Sequence, residues 1–566
     1  MKSAIRISTC IFILNFFIHV SHSQNAGTLV TAKKGMVVSA SREASQAGLD
    51  ILKKGGNAVD AAVATGFALA VTYPTAGNIG GGLYMVIRLA NGKVTTIDAR
   101  ETAPADADRD MYLDERGRVI PNKSLIGPIS AGVPGSVDGL LKAHQLFGKM
   151  KREALLQPAI TLARDGYALH PRAANLMKNH IKEFEKFPSS MNVFTKSGKP
   201  YAENELFKQP DLAQTLSLIS EKGRDGFYRG ATAEKIVDEM KRGKGVISLE
   251  DLHRYAAITR EPIIGEYRGY QIISMGPSSS GGVALVQLLN VLENYDMKSF
   301  GHNSVEAINR MVEVMKYVYA DRAEYLGDPD FIDVPVNWLI SKEYAALIRD
   351  KIVESKPTPS TEINHGAAPK TEGKHTTHFT VVDKWGNAVA VTTTINSPFG
   401  SQCVVDGAGF LLNNEMDDFS VKPGTPNQYG LIGSEANSIK GAKRMLSSMT
   451  PTIVAKNGKF IMTVGTPGGS TIITTVLQAI MNVIDYGMNI ADAVKSSRVH
   501  HQWLPDEITY EKDGIAPDVL KRLRLMGYEM KEIGQSGRVE AIFYNQQKKQ
   551  YEGCSDPRGY GAALGF

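Results

Sequence analysis

The stretch Lys374–Asp383, KHTTHFTVVD, joins two unlike kinds of sequence. It is crowded with β-branched and aromatic residues and reads as the start of a strand. The residues before it, KPTPSTEINHGAAPKTEGK (356–374), read as a polar connector punctuated by proline and glycine. Two readings of the junction stay open. A loop simply enters a sheet, or the chain is cut before Thr376 and that threonine becomes a new amino terminus.

The second reading has definite chemistry. A threonine hydroxyl is a weak nucleophile until a base takes its proton. An α-amino group freed at Thr376 would titrate at about 7.7–8.0, close to the pH at which a general base works best. One residue then supplies nucleophile and base. The same hydroxyl can make the cut: it attacks the carbonyl of His375, an N-to-O shift gives an ester, and water opens it.

The sequence that follows supports this placement. Asp383–Asn387, DKWGN, reads as a hairpin loop between HFTVV and AVAVTTTIN. A hairpin symmetric about Trp385 sets Thr376 opposite Thr394, at a Cβ separation of about 4.5–5.5 Å. Asn396 then falls on the same face as Thr394. Threonine-rich strands are common, so the hairpin alone leaves both readings open.

Three further clusters carry possible chemistry. Thr466–Ser470, TPGGS, lies between a strand and a helix, and Gly468 and Gly469 there can present amides to an oxyanion. The alternative is a plain tight turn. Asn413–Phe419, NNEMDDF, is an acidic loop whose carboxylates suit a substrate ammonium, or else a calcium ion or only solvent. Ser447 and Ser448 can donate to a substrate carboxylate, or form a turn. Other motifs carry less. GPSSSGG (276–282) lacks the ending of a phosphate loop and reads as a structural turn. His500 and His501 are adjacent, which does not suit a metal pair. No G-x-S-x-G elbow occurs.

The 566 residues are 43% hydrophobic and 22% charged, ordinary values for a chain with a large core. The net charge of +5 is dispersed, without basic runs bearing interleaved aromatics, so nucleic acid is not an expected partner. Lys2 and Arg6, the short apolar core CIFILNFFIHV (10–20) and Ser21-His22-Ser23 read as a secretory leader over residues 1–23. The apolar run is too short for a membrane span, so the mature chain is expected in a periplasm or outside the cell. Of three cysteines, Cys403 and Cys554 stay after the leader is removed; whether they pair is open. No spacing suggests a metal site or a cofactor.

Periodicity predicts a helix over 41–54 capped by Ser41, then a buried, alanine-rich helix from Asn57. A hairpin follows Gly80-Gly81-Gly82, with Asn91-Gly92 as a type I′ turn signal. Residues 130–350 read as mainly helical, with a strand at 267–275. Strands dominate after 376. This order suits a layered α/β protein with its sheets inside.

Taken together, GGNAVDAAVA, NIGGG, DARETAP, TTHFTVVDKWGNAVAVTTTIN, LLNNEMDDFS, LSSMTPTIV, TPGGS, HHQWLPDE and SDPR resemble the γ-glutamyltransferase (glutathione hydrolase) family over essentially the whole mature chain. The resemblance implies an N-terminal-nucleophile hydrolase, two β-sheets between helical layers (αββα). It implies self-cleavage between His375 and Thr376, with a large fragment 24–375 and a small catalytic fragment 376–566 held as a heterodimer. Thr376 matches the nucleophile and Thr394 its assistant. Gly468 and Gly469 match the oxyanion hole. Arg100, Ser447 and Ser448 match the residues that hold the substrate α-carboxylate. Asn396, Glu415 and Asp418 match those that hold its α-ammonium. PNQYGLIGSEANSIKGAKR resembles the lid loop of bacterial members, with Tyr429 as its cover. The substrates implied are glutathione, other γ-glutamyl compounds, and amino acid or peptide acceptors.

Two competing readings are kept. One is a glutaryl-type (cephalosporin) acylase or a poly-γ-glutamate enzyme of the same superfamily. The other is a secreted solute-binding protein, which leaves the cuttable tail unexplained.

Overall fold

The structure is a computed structural model, and it describes residues 26–363 and 376–566. The leader, Cys10, His375 and the later part of the connector lie outside the described residues.

Arg42–Lys53 is a helix, and the Ser41 side chain accepts from the Ala44 amide at its start. Ala58–Thr72 follows, with Asn57 and Asp60 forming a reciprocal capping box. Every residue of this second helix is buried, as its apolar circumference predicts.

Two seven-stranded antiparallel sheets form the centre. In one, Thr377–Val382 and Ala388–Thr394 lie side by side, flanked by Met36–Ser39 and Gly82–Arg88. In the other, Lys459–Gly465 and Thr452–Lys456 lie beside Tyr270–Ser274. The first sheet is buried on both faces, and its residues alternate between two cores. Val37, Met85, Phe379, Val381, Val389 and Val391 face the two N-terminal helices. Val38, Tyr84, Val86, Val382 and Ala390 face the second sheet. The helices Gly281–Leu292 and Thr471–Ile484 cover the outer side of that sheet. The layers are helix, sheet, sheet, helix, as the resemblance implies.

Two local expectations change. At Asn91-Gly92 only Gly92 has positive φ, and the Gly92 amide donates to the Leu89 carbonyl. This is a type I turn with a glycine bulge, not type I′. The type I′ geometry occurs instead at Arg268 (φ 53°) and Gly269 (φ 75°). That turn splits the strand expected at 267–275, which begins only at Tyr270 and pairs with the unforeseen strand Ile263–Tyr267. Cys403 and Cys554 are both free and buried.

Candidate active site

The hairpin register is the one read from symmetry. Thr377 pairs with Thr393 and His378 with Thr392. One further step outward sets Thr376 across from Thr394, and both line one cavity. Asn78, between the second helix and Gly80, fixes that end of the hairpin. Its amide nitrogen donates to the Thr393 hydroxyl and the Thr394 carbonyl, while its oxygen accepts from the Gly81 amide and Ser136. The Thr394 hydroxyl accepts from the Asn396 amide at 2.8 Å.

The same cavity contains Arg100, Asn396, Asp418, Ser447, Ser448, Tyr429 and Gly469. Arg100 is fully buried at the end of strand Val94–Ala99. Its Nη1 lies 2.6 Å from Glu415 and 3.4 Å from Glu101, and its Nη2 pairs with Asp418. Its Nε donates to the Met445 carbonyl. Burial drives the Glu415 carboxyl well above its ordinary value, and the adjacent guanidinium only partly offsets this. Burial also raises Asp418, and pushes Glu101 up to about 7.

The acidic loop divides its carboxylates between two tasks. Glu415 and Asp418 face Arg100. Asp417 instead accepts from the Ser124 hydroxyl at 2.6 Å and from the Gln428 amide at 2.9 Å. It anchors the segment that carries Tyr429. Asn413 and Asn414 set the loop: Asn413 Oδ1 accepts from the Glu415 amide, and the Asn414 carbonyl accepts from Asn396 Nδ2. Among the described residues no cluster of His, Cys, Asp or Glu is arranged to hold a metal. His500 and His501 bond Thr474 and Asp506 respectively.

Tyr429 closes the cavity. Its hydroxyl donates to the Asn396 carbonyl at 2.8 Å, and only 4% of it is exposed. The ring rests on Gly469, where an added Cβ would meet Cδ1 at 2.6 Å. Gly468 and Gly469 both have positive φ, and among the described residues neither amide has a hydrogen-bond acceptor. The free volume left inside is small, about 30 Å³.

Two parts of the site were missed from sequence. GPSSSGG is a turn, as expected, yet it braces the serine pair. The Ser280 amide donates to the Ser447 carbonyl, and the Ser447 amide to the Ser278 carbonyl. Arg322, on the long helix Val305–Tyr325, lines the cavity. Its guanidinium donates to Ser280 and to the Ser448 hydroxyl at 3.0 Å. It makes no ion pair among the described residues, and burial lowers its pKa to about 10. Nothing in the local sequence ADRAEY distinguishes this arginine from a surface one.

A family model described as Gamma-glutamyltranspeptidase matches residues 44–566. This chain belongs to the gamma-glutamyltranspeptidase family. It is an enzyme of that family. The Glutathione hydrolase proenzyme of Escherichia coli is 50% identical over 530 residues, which cover 94% of this chain and 91% of that one. Among solved structures, cephalosporin acylase from Bacillus halodurans superposes with TM-score 0.84 at 27% identity, covering 95% of this chain and 97% of that one. The gamma-glutamyltranspeptidase of Helicobacter pylori is 47% identical, with TM-score 0.57 over 57% of this chain and 93% of the other.

Proposed function

We propose that this chain is an exported, self-cleaving glutathione hydrolase and γ-glutamyltransferase whose nucleophile is Thr376. The observation that carries the reading is the company Thr376 keeps. One small cavity holds it together with Arg100 and Asp418, and Glu415 pairs with the same guanidinium, a set complementary to the zwitterionic head of a glutamyl group.

In the precursor, Thr376 Oγ1 attacks the His375 carbonyl, the acyl group shifts from nitrogen to oxygen, and water opens the ester. The fragments 24–375 and 376–566 then remain joined by five strand pairings that cross between them. Their separation would expose both sheets, so a heterodimer is the expected product.

In the mature enzyme the Thr376 α-amine takes the hydroxyl proton, and Oγ1 attacks the γ-carbonyl carbon. The Gly468 and Gly469 amides receive the developing oxyanion. The amine returns its proton to the leaving nitrogen, and the γ-glutamyl group is left as an ester on Thr376. Water gives hydrolysis; an acceptor amine gives transfer. Arg100, assisted by Ser447 and Ser448, holds the α-carboxylate as a planar fork of donors. Asn396, Glu415 and Asp418 hold the ammonium. Arg322 orients Ser448 and adds a second positive charge. Clamping the head aligns the γ-carbonyl with Oγ1, which can lower the barrier by several kcal/mol. Tyr429 shuts the site around small substrates.

The likeness to an acylase favours a second reading, in which the acyl group is a glutaryl. Glu415 and Asp418 stand against it, because a glutaryl group carries no ammonium for them to meet. The test is release of glutamate from glutathione by the purified protein and by Thr376→Ala. Activity in the first, together with an uncut, inactive second, is expected. Preference for a glutaryl amide over a γ-glutamyl amide would favour the acylase reading.

A further inference from the structure

Three consecutive residues of the lid segment, Asn427, Gln428 and Tyr429, each bond a residue of the proposed ammonium site or of the loop that carries it. The Tyr429 hydroxyl donates to the Asn396 carbonyl, and the Gln428 amide donates to Asp417 at 2.9 Å. Asn427 Nδ2 donates to Asp418 Oδ1 at 3.2 Å. Of these contacts, the one from Asn427 reaches a charge that lines the cavity, and Asn427 lines it too.

The orientation of the Asn427 side-chain amide is forced. Its Oδ1 accepts from the Tyr429 amide at 2.9 Å and from the Leu431 amide at 3.2 Å, so its nitrogen must face the carboxylate. One side chain therefore shapes the turn that presents Tyr429 and also holds Asp418. The two oxygens of Asp418 are divided: Oδ1 goes to Asn427 and Oδ2 to Arg100. The Asp418 side chain is 13% exposed, which leaves it little water of its own.

We propose that Asn427 is a specificity-determining residue that makes the site reject acyl groups without an α-ammonium. This rests on the head-group assignment proposed above. A ligand carboxylate that takes the Arg100 donors leaves Asp418 without its cation. A γ-glutamyl head supplies an ammonium in exchange. A glutaryl head supplies none, and a poorly hydrated carboxylate without a counter-charge is costly. Asn427 keeps that cost high, because it pins Asp418 beneath the lid. An unpinned carboxylate turns to water and regains its hydration. The lid thus takes part in the choice of acyl group through Asn427, while Tyr429 covers the group chosen.

The test uses two anilides that differ only in the ammonium, γ-glutamyl and glutaryl, and reads the ratio of their kcat/KM values. Asn427→Ser keeps a hydroxyl that can accept from the Tyr429 amide but is too short to reach Asp418. In it the ratio of γ-glutamyl to glutaryl falls about tenfold, chiefly through a lower KM for the glutaryl anilide. The double variant Asp418→Asn with Asn427→Asp exchanges the two groups. It remakes their bond with the polarity reversed and returns a carboxylate to the cavity, so its ratio exceeds that of Asp418→Asn alone. An unchanged ratio in Asn427→Ser, equal losses with both anilides, or an exchange no better than Asp418→Asn alone overturns the role of Asn427. An unaltered enzyme that prefers the glutaryl anilide contradicts the γ-glutamyl reading itself instead.

Discussion

Arg100 Nη1 lies 2.6 Å from Glu415 Oε2, both fully buried, and Arg100 Nη2 pairs with the partly exposed Asp418. The groups assigned to the substrate's two charges pair with each other. A γ-glutamyl head brings one charge of each sign, so its entry exchanges internal ion pairs for external ones without stranding a buried charge.

Removing one partner of a buried ion pair costs about 3–5 kcal/mol, because the other charge is left uncompensated. Arg100→Ala is expected to lower Tm as well as to abolish glutathione hydrolysis. Adding Glu415→Gln should return part of the lost Tm and none of the activity. Thermal unfolding of the two variants checks this; an undiminished Tm in Arg100→Ala shows that the pairs add no stability.

Glu415 makes head-group binding sensitive to pH. Burial raises its pKa, so it takes up a proton at a higher pH than an ordinary glutamate. Protonation removes the charge that holds the ammonium, and affinity for L-glutamate therefore falls as pH drops through the raised value. Glu415→Gln eliminates this titration, and the fall in affinity should move to lower pH, where Asp418 titrates. Calorimetric Kd values across the pH range decide it. Identical profiles would remove Glu415 from the ammonium site.

Adjacent aspartates should behave differently. Asp418→Asn loses a charge facing the substrate and should cost about 100-fold in kcat/KM, or ~2.8 kcal/mol. Asp417 accepts from Ser124 on one oxygen and from the Gln428 amide on the other, so an asparagine keeps one of these bonds and loses no charge that faces the substrate. Asp417→Asn should therefore cost less than tenfold. Steady-state kinetics of the two variants distinguish them, and equal losses would assign Asp417 to the substrate as well.

Gly469 and Tyr429 form a coupled pair. A Cβ at Gly469 would lie 2.6 Å from the ring and require a side chain at φ 56°. Gly469→Ala should raise KM for glutathione about tenfold by displacing Tyr429, since contacting residues couple non-additively. In a Tyr429→Ala background, the same substitution should then add little to KM. Additive losses would show that Gly469 acts independently of the lid.

The legible part of this site is local in sequence. The step from Thr377–Thr393 to Thr376–Thr394 followed from a symmetric hairpin, because strand register is set by the turn. The capped helices at 42–72 and the glycine pair after a strand were read from short patterns in the same way. What was missed comes from contacts between distant segments. Arg322 reaches Ser448 across 126 positions, and Asn78 reaches Thr393 across 315. The strand Ile263–Tyr267 escaped because Gly265 and Glu266 interrupt its apolar pattern, although its neighbour completes it. The internal pairing of Arg100 with Glu415 escaped for a different reason. Each residue is matched in sequence to a substrate charge, and that matching says nothing of how the residues pair with one another.

Amino-terminal sequencing of the smaller fragment of the purified, active enzyme tests the central proposal most directly. The expected result is a fragment that starts at Thr376, with threonine, threonine and histidine as its first three residues. An active enzyme that retains the bond before Thr376, or a fragment with a different first residue, would contradict it.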